Sequence, residues 1–206
     1  MDNFESHWEN IHAEKFKNVS WWQDKESLWL DLFQDENLPL DSALLDVGSG
    51  ASLLIDQLHD IGFTDLSVLD ISQSALARLS LEVVKDRYLV HYYCTNVLEL
   101  RVSRRFDVWH DRAVFHFLTD PADQSKYVES VRRNLNPGGL LIIATFALDG
   151  PDRCSDLPVA KHDAGSLQST LGEDFRLIFS ENRLHTTPWG STQSFTVAKF
   201  RYQPNT

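Results

Sequence analysis

In the segment Leu44-Leu45-Asp46-Val47-Gly48-Ser49-Gly50-Ala51-Ser52 an apolar run ends in an acid and breaks into a glycine turn. The next apolar run, Leu66-Ser67-Val68-Leu69, ends in a second acid, Asp70. A strand that runs into a glycine turn and then a helix is the local geometry of a nucleotide-type site. Glycine matters there because it has no Cβ and accepts positive φ, so backbone can pass close to a ligand. A carboxylate at the end of the neighbouring strand is placed to hold a ribose. Asp46, Gly48, Ser49, Gly50 and Asp70 are therefore the first candidate site residues.

The remaining pattern alternates strands and helices. Strands are predicted at 43–47, 66–70, 89–94, 106–110 and 140–146, with helices over 52–61, 73–85 and about 122–135. Asn136-Pro137-Gly138-Gly139 supplies turn chemistry between the last helix and its strand. Apolar runs without polar alternation suit strands buried on both faces, as in a parallel sheet covered by helices. The runs Phe175–Phe179 and Phe195–Phe200 have no helix pattern between them, so they are expected to pair antiparallel. Upstream, Phe4, Trp8, Ile11, Phe16 and Val19 are spaced as on a helix face, and a second helical stretch is expected over 24–35. The expected fold class is α/β: a Rossmann-like, seven-stranded, mostly parallel sheet with helices on both faces and an antiparallel C-terminal hairpin. A single domain over 1–206 is expected, with 1–38 as an N-terminal helical lid. The loop 149–163 is the one long irregular segment, and such loops are often functional.

Composition excludes several classes of partner. The net charge of −11 argues against a phosphate-tracking surface, so no nucleic-acid partner is expected. The run Leu140–Leu148 is about half the length of a bilayer span, and no membrane partner is expected. The N-terminus MDNFESHWEN has neither a basic nor an apolar leader region. Two cysteines, Cys94 and Cys154, form no disulfide framework, and a cytoplasmic location is the simple reading.

A dinucleotide fingerprint would place glycine at position 53, which is Leu53. Asp46 just before the turn would also repel a pyrophosphate by about 1–4 kcal/mol. An acid there suits a ligand with positive charge on that side. The arrangement resembles the glycine-rich motif of class I S-adenosylmethionine-dependent methyltransferases, with Ser52 where that family often has a third glycine. Further stretches carry the resemblance: VLDIS, CTNVLEL, FDVWHDRAVFHFL and RRNLNPGGLLIIATF. It implies S-adenosylmethionine as cofactor and S-adenosylhomocysteine as product. It further implies that Asp70 holds the ribose hydroxyls, that Ile71 packs on adenine, and that Asn96, beside Val97, accepts from the adenine amino group. Asp70 could instead cap a helix and Asn96 could be only a turn residue.

His110, Asp111, Arg112 and His116 form the densest polar cluster and are candidates for substrate handling and catalysis, with His110 also beside the cofactor. The bland alternative pairs Asp111 with Arg112 and packs His116 on the next segment. No Cys/His spacing supports a metal site. Trp21 and Trp22 lie at a break between helical stretches and are expected to close over the pocket, whereas Trp8 is expected in the core. Cys154 either lines the substrate entrance or is an inert buried thiol. The resemblance implies methyl transfer to a nucleophilic atom of a small molecule. Methylation of a protein lysine and a non-catalytic cofactor-binding regulatory module are the alternatives, and oligomeric state stays open.

Overall fold

A computed structural model describes residues 2–14, 19–22, 29–34, 37–85 and 87–204. Five strands, β1 (Leu44–Val47), β2 (Leu66–Asp70), β3 (Val90–Cys94), β4 (Phe106–Arg112) and β5 (Leu135–Phe146), pair in parallel. A miniature hairpin follows, β6 (Arg153–Cys154) with β7 (Leu157–Pro158), and then come β8 (Phe175–Thr186) and β9 (Thr192–Tyr202). The seven-stranded sheet has the order β3-β2-β1-β4-β5-β9-β8, with β9 antiparallel to both of its neighbours. This is the expected fold class. The helices are α1 (Asp2–Glu14), α2 (Asp31–Gln34), α3 (Leu54–Asp60), α4 (Gln73–Arg78), α5 (Pro121–Asn134) and α6 (Ala164–Leu171). Among the described residues no helix is long and apolar enough to cross a membrane.

Alternation along the central strands divides the core between the two sheet faces. Leu44, Leu140 and Ile142 join the cluster that buries Leu54, Ile55, Leu58 and Leu76. Leu45, Leu141 and Ile143 join the one that buries Tyr127, Val131, Leu167 and Leu171. Each such side chain, fully buried, contributes about 1.5–3 kcal/mol.

Several boundaries differ from the sequence reading, for identifiable reasons. The predicted 73–85 helix is α only to Arg78 and then widens into a π turn over Leu79–Val84, closed by Lys85 at φ 51°. Strand β4 runs on to Arg112, past His110. The Asn136–Gly139 turn lies inside β5: Leu135 pairs with Phe106 and Leu140 with Val108, so the turn bulges out of the ladder, with Gly138 at φ 81°. Helix α6 was not anticipated, although Asp163 and Ser166 form a reciprocal capping box at its start. Of the two expected N-terminal helices, α1 ends at Glu14. Phe16, residues 23–28 and residues 35–36 lie outside the described residues.

The topology creates a crevice at the carboxyl ends of the strands. Strand β1 sits between β2 and β4, with Val47 opposite both Leu69 and Asp111. The turn after β1 therefore emerges between the ends of two strands whose connections leave in opposite directions, the usual place for a ligand in an open α/β sheet.

Candidate functional site

The glycine turn is held by backbone and shaped by positive φ. Gly48 N–H donates to the Leu69 carbonyl at 2.7 Å, tying the turn to β2. Gly48 and Gly50 have φ of 65° and 55°. A Cβ on Gly48 would lie 2.1 Å from Val114 Cγ2, and one on Gly50 would lie 3.3 Å from His12 Cε1. Ser49 is buried, and its hydroxyl has no hydrogen-bond partner among the described residues.

Asp70 closes β2 and binds the turn from below. One oxygen accepts from Gly50 N–H at 2.8 Å and the other from Ser72 N–H at 2.9 Å. Each carboxylate oxygen keeps a free lone pair. Burial pushes this carboxyl up, against the opposing pull of the nearby His12 and of the two N–H donors. The same burial pushes His12 down. On the far side, Asn96 accepts from Leu98 N–H at 3.0 Å and so caps a short 3-10 turn over Val97–Glu99. Ile71, Asn96 and Val97 all line the crevice.

The crevice is a cavity of about 560 Å³, within the usual size of a small-molecule site. Its roof is N-terminal. Trp8 lies 5.0 Å from the Phe117 ring and 5.7 Å from Trp21, both edge-on. Trp21 and Trp22 line the cavity, and so does Trp8, which corrects the expectation that Trp8 is core. The roof is fastened at several points. Glu9 binds Ser72 and Ser74, the Ser20 carbonyl accepts from His185 Nε2 at 2.7 Å, and Asp31 pairs with Arg183 at 2.6 Å.

The His110–His116 cluster does not converge. His110 Nδ1 lies 2.7 Å from Asp46 Oδ1; both are buried, and neither lines the cavity. The Phe33 ring covers the imidazole at 5.3 Å. Asp111 points to the other face of β4. Its carboxylate accepts from Val114 N–H at 2.8 Å and from Tyr127 Oη–H at 2.6 Å, and burial pushes its pKa up to about 6. His116 is sealed near Phe146 and His162, its pKa pushed down to about 3 by burial. Asp111 and His116 are thus corrected from substrate handling to structural positions: each is fully buried and faces packed side chains. Asp111 and Arg112 do not pair either. Arg112 lines the cavity beside Ala113, a non-glycine residue at φ 69°.

The far end of the cavity was not anticipated. Trp29, Phe146 and Phe195 form its apolar wall, with Phe195 edge-on to both others at 5.6 and 4.9 Å. His185, Gln193 and Cys154 complete it. Burial lowers the His185 pKa and raises that of the Cys154 thiol to about 11, so both are neutral near pH 7. His12 could have been found from spacing: it follows Trp8 by one helical turn. His185 and Phe195 carry no such local signal.

These features fit an adenosyl cofactor that carries a positive charge. The turn admits no Cβ at Gly48, a buried hydroxyl at Ser49 lacks a partner, and acids at Asp46 and Asp70 flank the turn. Among the described residues no three His, Cys, Asp or Glu side chains group as a metal site.

Known proteins share both sequence and fold with this chain. Residues 45–143 match the model of the methyltransferase domain family. The ubiquinone biosynthesis O-methyltransferase of Bradyrhizobium diazoefficiens is 31% identical over 103 residues, 50% of this chain and 39% of that protein. The chain thus spans well under half the length of that relative. The EEF1A lysine methyltransferase 2 of Homo sapiens is 22% identical over 156 residues, 68% of this chain and 66% of that protein. The N-methyltransferase NodS from Bradyrhizobium japonicum WM9, solved in complex with S-adenosyl-l-homocysteine, has the same fold. Its TM-score is 0.69 at 16% identity, over 95% of this chain and 98% of that one. Residues 45–143 are thus similar to a methyltransferase domain, and the sheet from β3 to β8 has the fold of the solved methyltransferase structure.

Proposed function

We propose that this chain moves a methyl group from S-adenosylmethionine to a nucleophilic atom of a small molecule. The observation that carries this reading is one continuous cavity, running from the glycine turn and Asp70 to an aromatic-walled end beside Arg112 and His185. When bound, the cofactor supplies a methyl carbon already activated by a sulfonium. The chain's task is then to bind, orient and exclude water, and such positioning alone can lower a barrier by about 7–11 kcal/mol.

In this reading the free lone pairs of Asp70 take the ribose hydroxyls, while Ile71, Val97 and Asn96 flank the adenine. Gly48, Ser49 and Gly50 pass beneath the cofactor. Asp46, fixed by His110, contributes negative charge from under the turn. Residues 1–38 act as the lid, and Trp22 closes over the cofactor. An aromatic face near a sulfonium attracts it by about 0.5–2 kcal/mol. The proton of the acceptor has one candidate base at the far end. His185 donates through Nε2 to the Ser20 carbonyl, which leaves Nδ1 as the basic nitrogen of a neutral ring. A cytoplasmic location agrees with the two unpaired cysteines.

Similarity to a lysine methyltransferase over 68% of the chain supports a second reading, transfer to a protein side chain. The aromatic wall and the lid favour a small acceptor. Isothermal titration with S-adenosylmethionine should give a micromolar complex, and no binding would overturn the cofactor assignment. Incubation with labelled cofactor and a cell extract should label small molecules. A labelled protein band would establish the second reading, and binding without any transfer would establish a regulatory module.

A further inference from the structure

Arg112 is a cation in the wall of the cavity. It ends β4, lines the cavity, and among the described residues makes no hydrogen bond or ion pair through its side chain. Arg112 is half-buried, and a guanidinium in a crevice is a ready partner for an anion that enters it. The charge of Asp46 attracts it, yet the hydrogen bond Asp46 forms is with His110, at 2.7 Å. The other titratable group facing Arg112 is His185, which is held neutral.

The backbone on both sides of Arg112 is fixed. Asp111 is locked by Tyr127 and the amides of 114 and 115, and Ala113 is held in the left-handed region with its N–H on the Ala144 carbonyl at 2.9 Å. A non-glycine residue there is strained, and rigid surroundings must sustain it. The stem of Arg112 thereby leaves the strand from a fixed point, and the planar fork of its guanidinium matches a carboxylate. The same cavity is lined by Trp29, Phe146 and Phe195, which are packed in the core and give this part of the wall its apolar character.

Resting on the methyltransferase reading, we infer that Arg112 anchors an anionic group of the methyl acceptor, so that the acceptor is a small organic acid with an apolar body. The same chemistry could come from the carboxylate of the cofactor's amino-acid tail, and the experiment separates the two sources.

Matched pairs of acid and amide serve as probes: benzoate and benzamide, 4-hydroxybenzoate and 4-hydroxybenzamide, indole-3-acetate and indole-3-acetamide, octanoate and octanamide. Binding is measured by calorimetry on the full chain, with and without saturating S-adenosylhomocysteine. For at least one pair the acid should bind about tenfold or more tightly than the amide. R112Q should bring that ratio close to unity, and R112K, which keeps charge but loses the fork, should lower it partway. The affinity for S-adenosylmethionine should change by less than about threefold in either variant. Absence of an acid preference in every pair overturns the inference, as does a preference that both variants retain. A loss of about tenfold or more in cofactor affinity with the acid preference intact assigns Arg112 to the cofactor tail instead. R112K keeps the test readable if R112Q fails to fold. If the wild-type chain binds no S-adenosylhomocysteine, the methyltransferase reading fails, while the acid-to-amide ratio is still read without it.

Discussion

Glu9 of α1 accepts a hydrogen bond from the Ser72 hydroxyl at 2.7 Å, and Ser72 caps the helix that begins just after Asp70. The same carboxylate binds the Ser74 side chain and its N–H, so an acid from α1 completes the N-terminus of α4. Helix α1 and the end of β2 are therefore tied together by one carboxylate. E9A should loosen α1 and weaken cofactor binding by about 0.5–1.5 kcal/mol, the worth of a partly exposed cap contact. The hydrogen bonds from Ser74 and Ser72 hold the Glu9 carboxyl below the usual range. A depressed folded value means that the latch is fully present above the ordinary glutamate pKa of about 4.3 and is lost as pH falls below it. Fluorescence of Trp8 and Trp21 followed by titration should be flat at neutral pH and change only on acidification. In E9Q that acid transition should disappear.

Gly48 tests the turn itself. A Cβ would sit 2.1 Å from Val114 Cγ2 on a backbone at φ 65°. The conformation alone costs about 1–2 kcal/mol for alanine, and overpacking adds about 1–3 kcal/mol. G48A should be destabilised by about 2 kcal/mol or more in urea and should lose cofactor affinity. Adding V114A removes the clash and leaves the φ strain. The double variant should then recover about 1 kcal/mol or more relative to the sum of the single effects. Strict additivity would show that the turn can shift away from Val114.

What the sequence made legible follows from burial. β1 and β2 are covered on both faces, so their residues form apolar runs that announce themselves. β8 is an edge strand, and after Phe179 its Ser180, Glu181, Asn182 and Arg183 face water often enough to hide the pattern. The reading of the polar cluster failed through a boundary. Ending β4 at His110 left Asp111 and Arg112 free to converge on a ligand. Two more residues of strand restore the two-residue alternation, which sends His110 and Arg112 one way and Asp111 the other. The far wall of the cavity needed tertiary structure, because Trp29, Phe146 and Phe195 come from three separate parts of the chain.

Asp70 should carry much of the donor affinity. Its carboxylate already organises Gly50 and Ser72, and the lone pairs left over are the ones available to a ligand. D70A should weaken S-adenosylmethionine by about 1.5–3 kcal/mol, the usual worth of hydrogen bonds to a charged group. D70N keeps one acceptor oxygen and should fall between D70A and the wild type. The measurement is calorimetric titration at about pH 7.5, on the alkaline side because burial pushes the Asp70 carboxyl up. Equal affinity in all three proteins would remove Asp70 from the ribose position.

Asp111 distinguishes a structural acid from a catalytic one. Its carboxyl is buried, accepts from Tyr127 at 2.6 Å and from two backbone amides, and has its pKa raised to about 6 chiefly by desolvation. A raised folded value means that the native chain holds this proton more tightly than the unfolded chain does. The associated stabilisation is complete below the ordinary aspartate pKa of about 3.9 and is lost as pH rises to about 6. Above that pH the native state carries a desolvated carboxylate. D111N has no such titration. The stability of the wild type relative to D111N, measured by urea unfolding across this range, should therefore fall by about 2–3 kcal/mol as pH rises and then level off. Near pH 7, D111N that remains folded should keep turnover within about threefold, because the side chain touches Tyr127 and backbone rather than the cavity. A stability difference that does not change with pH, joined to a large loss of turnover, would return Asp111 to the reacting site.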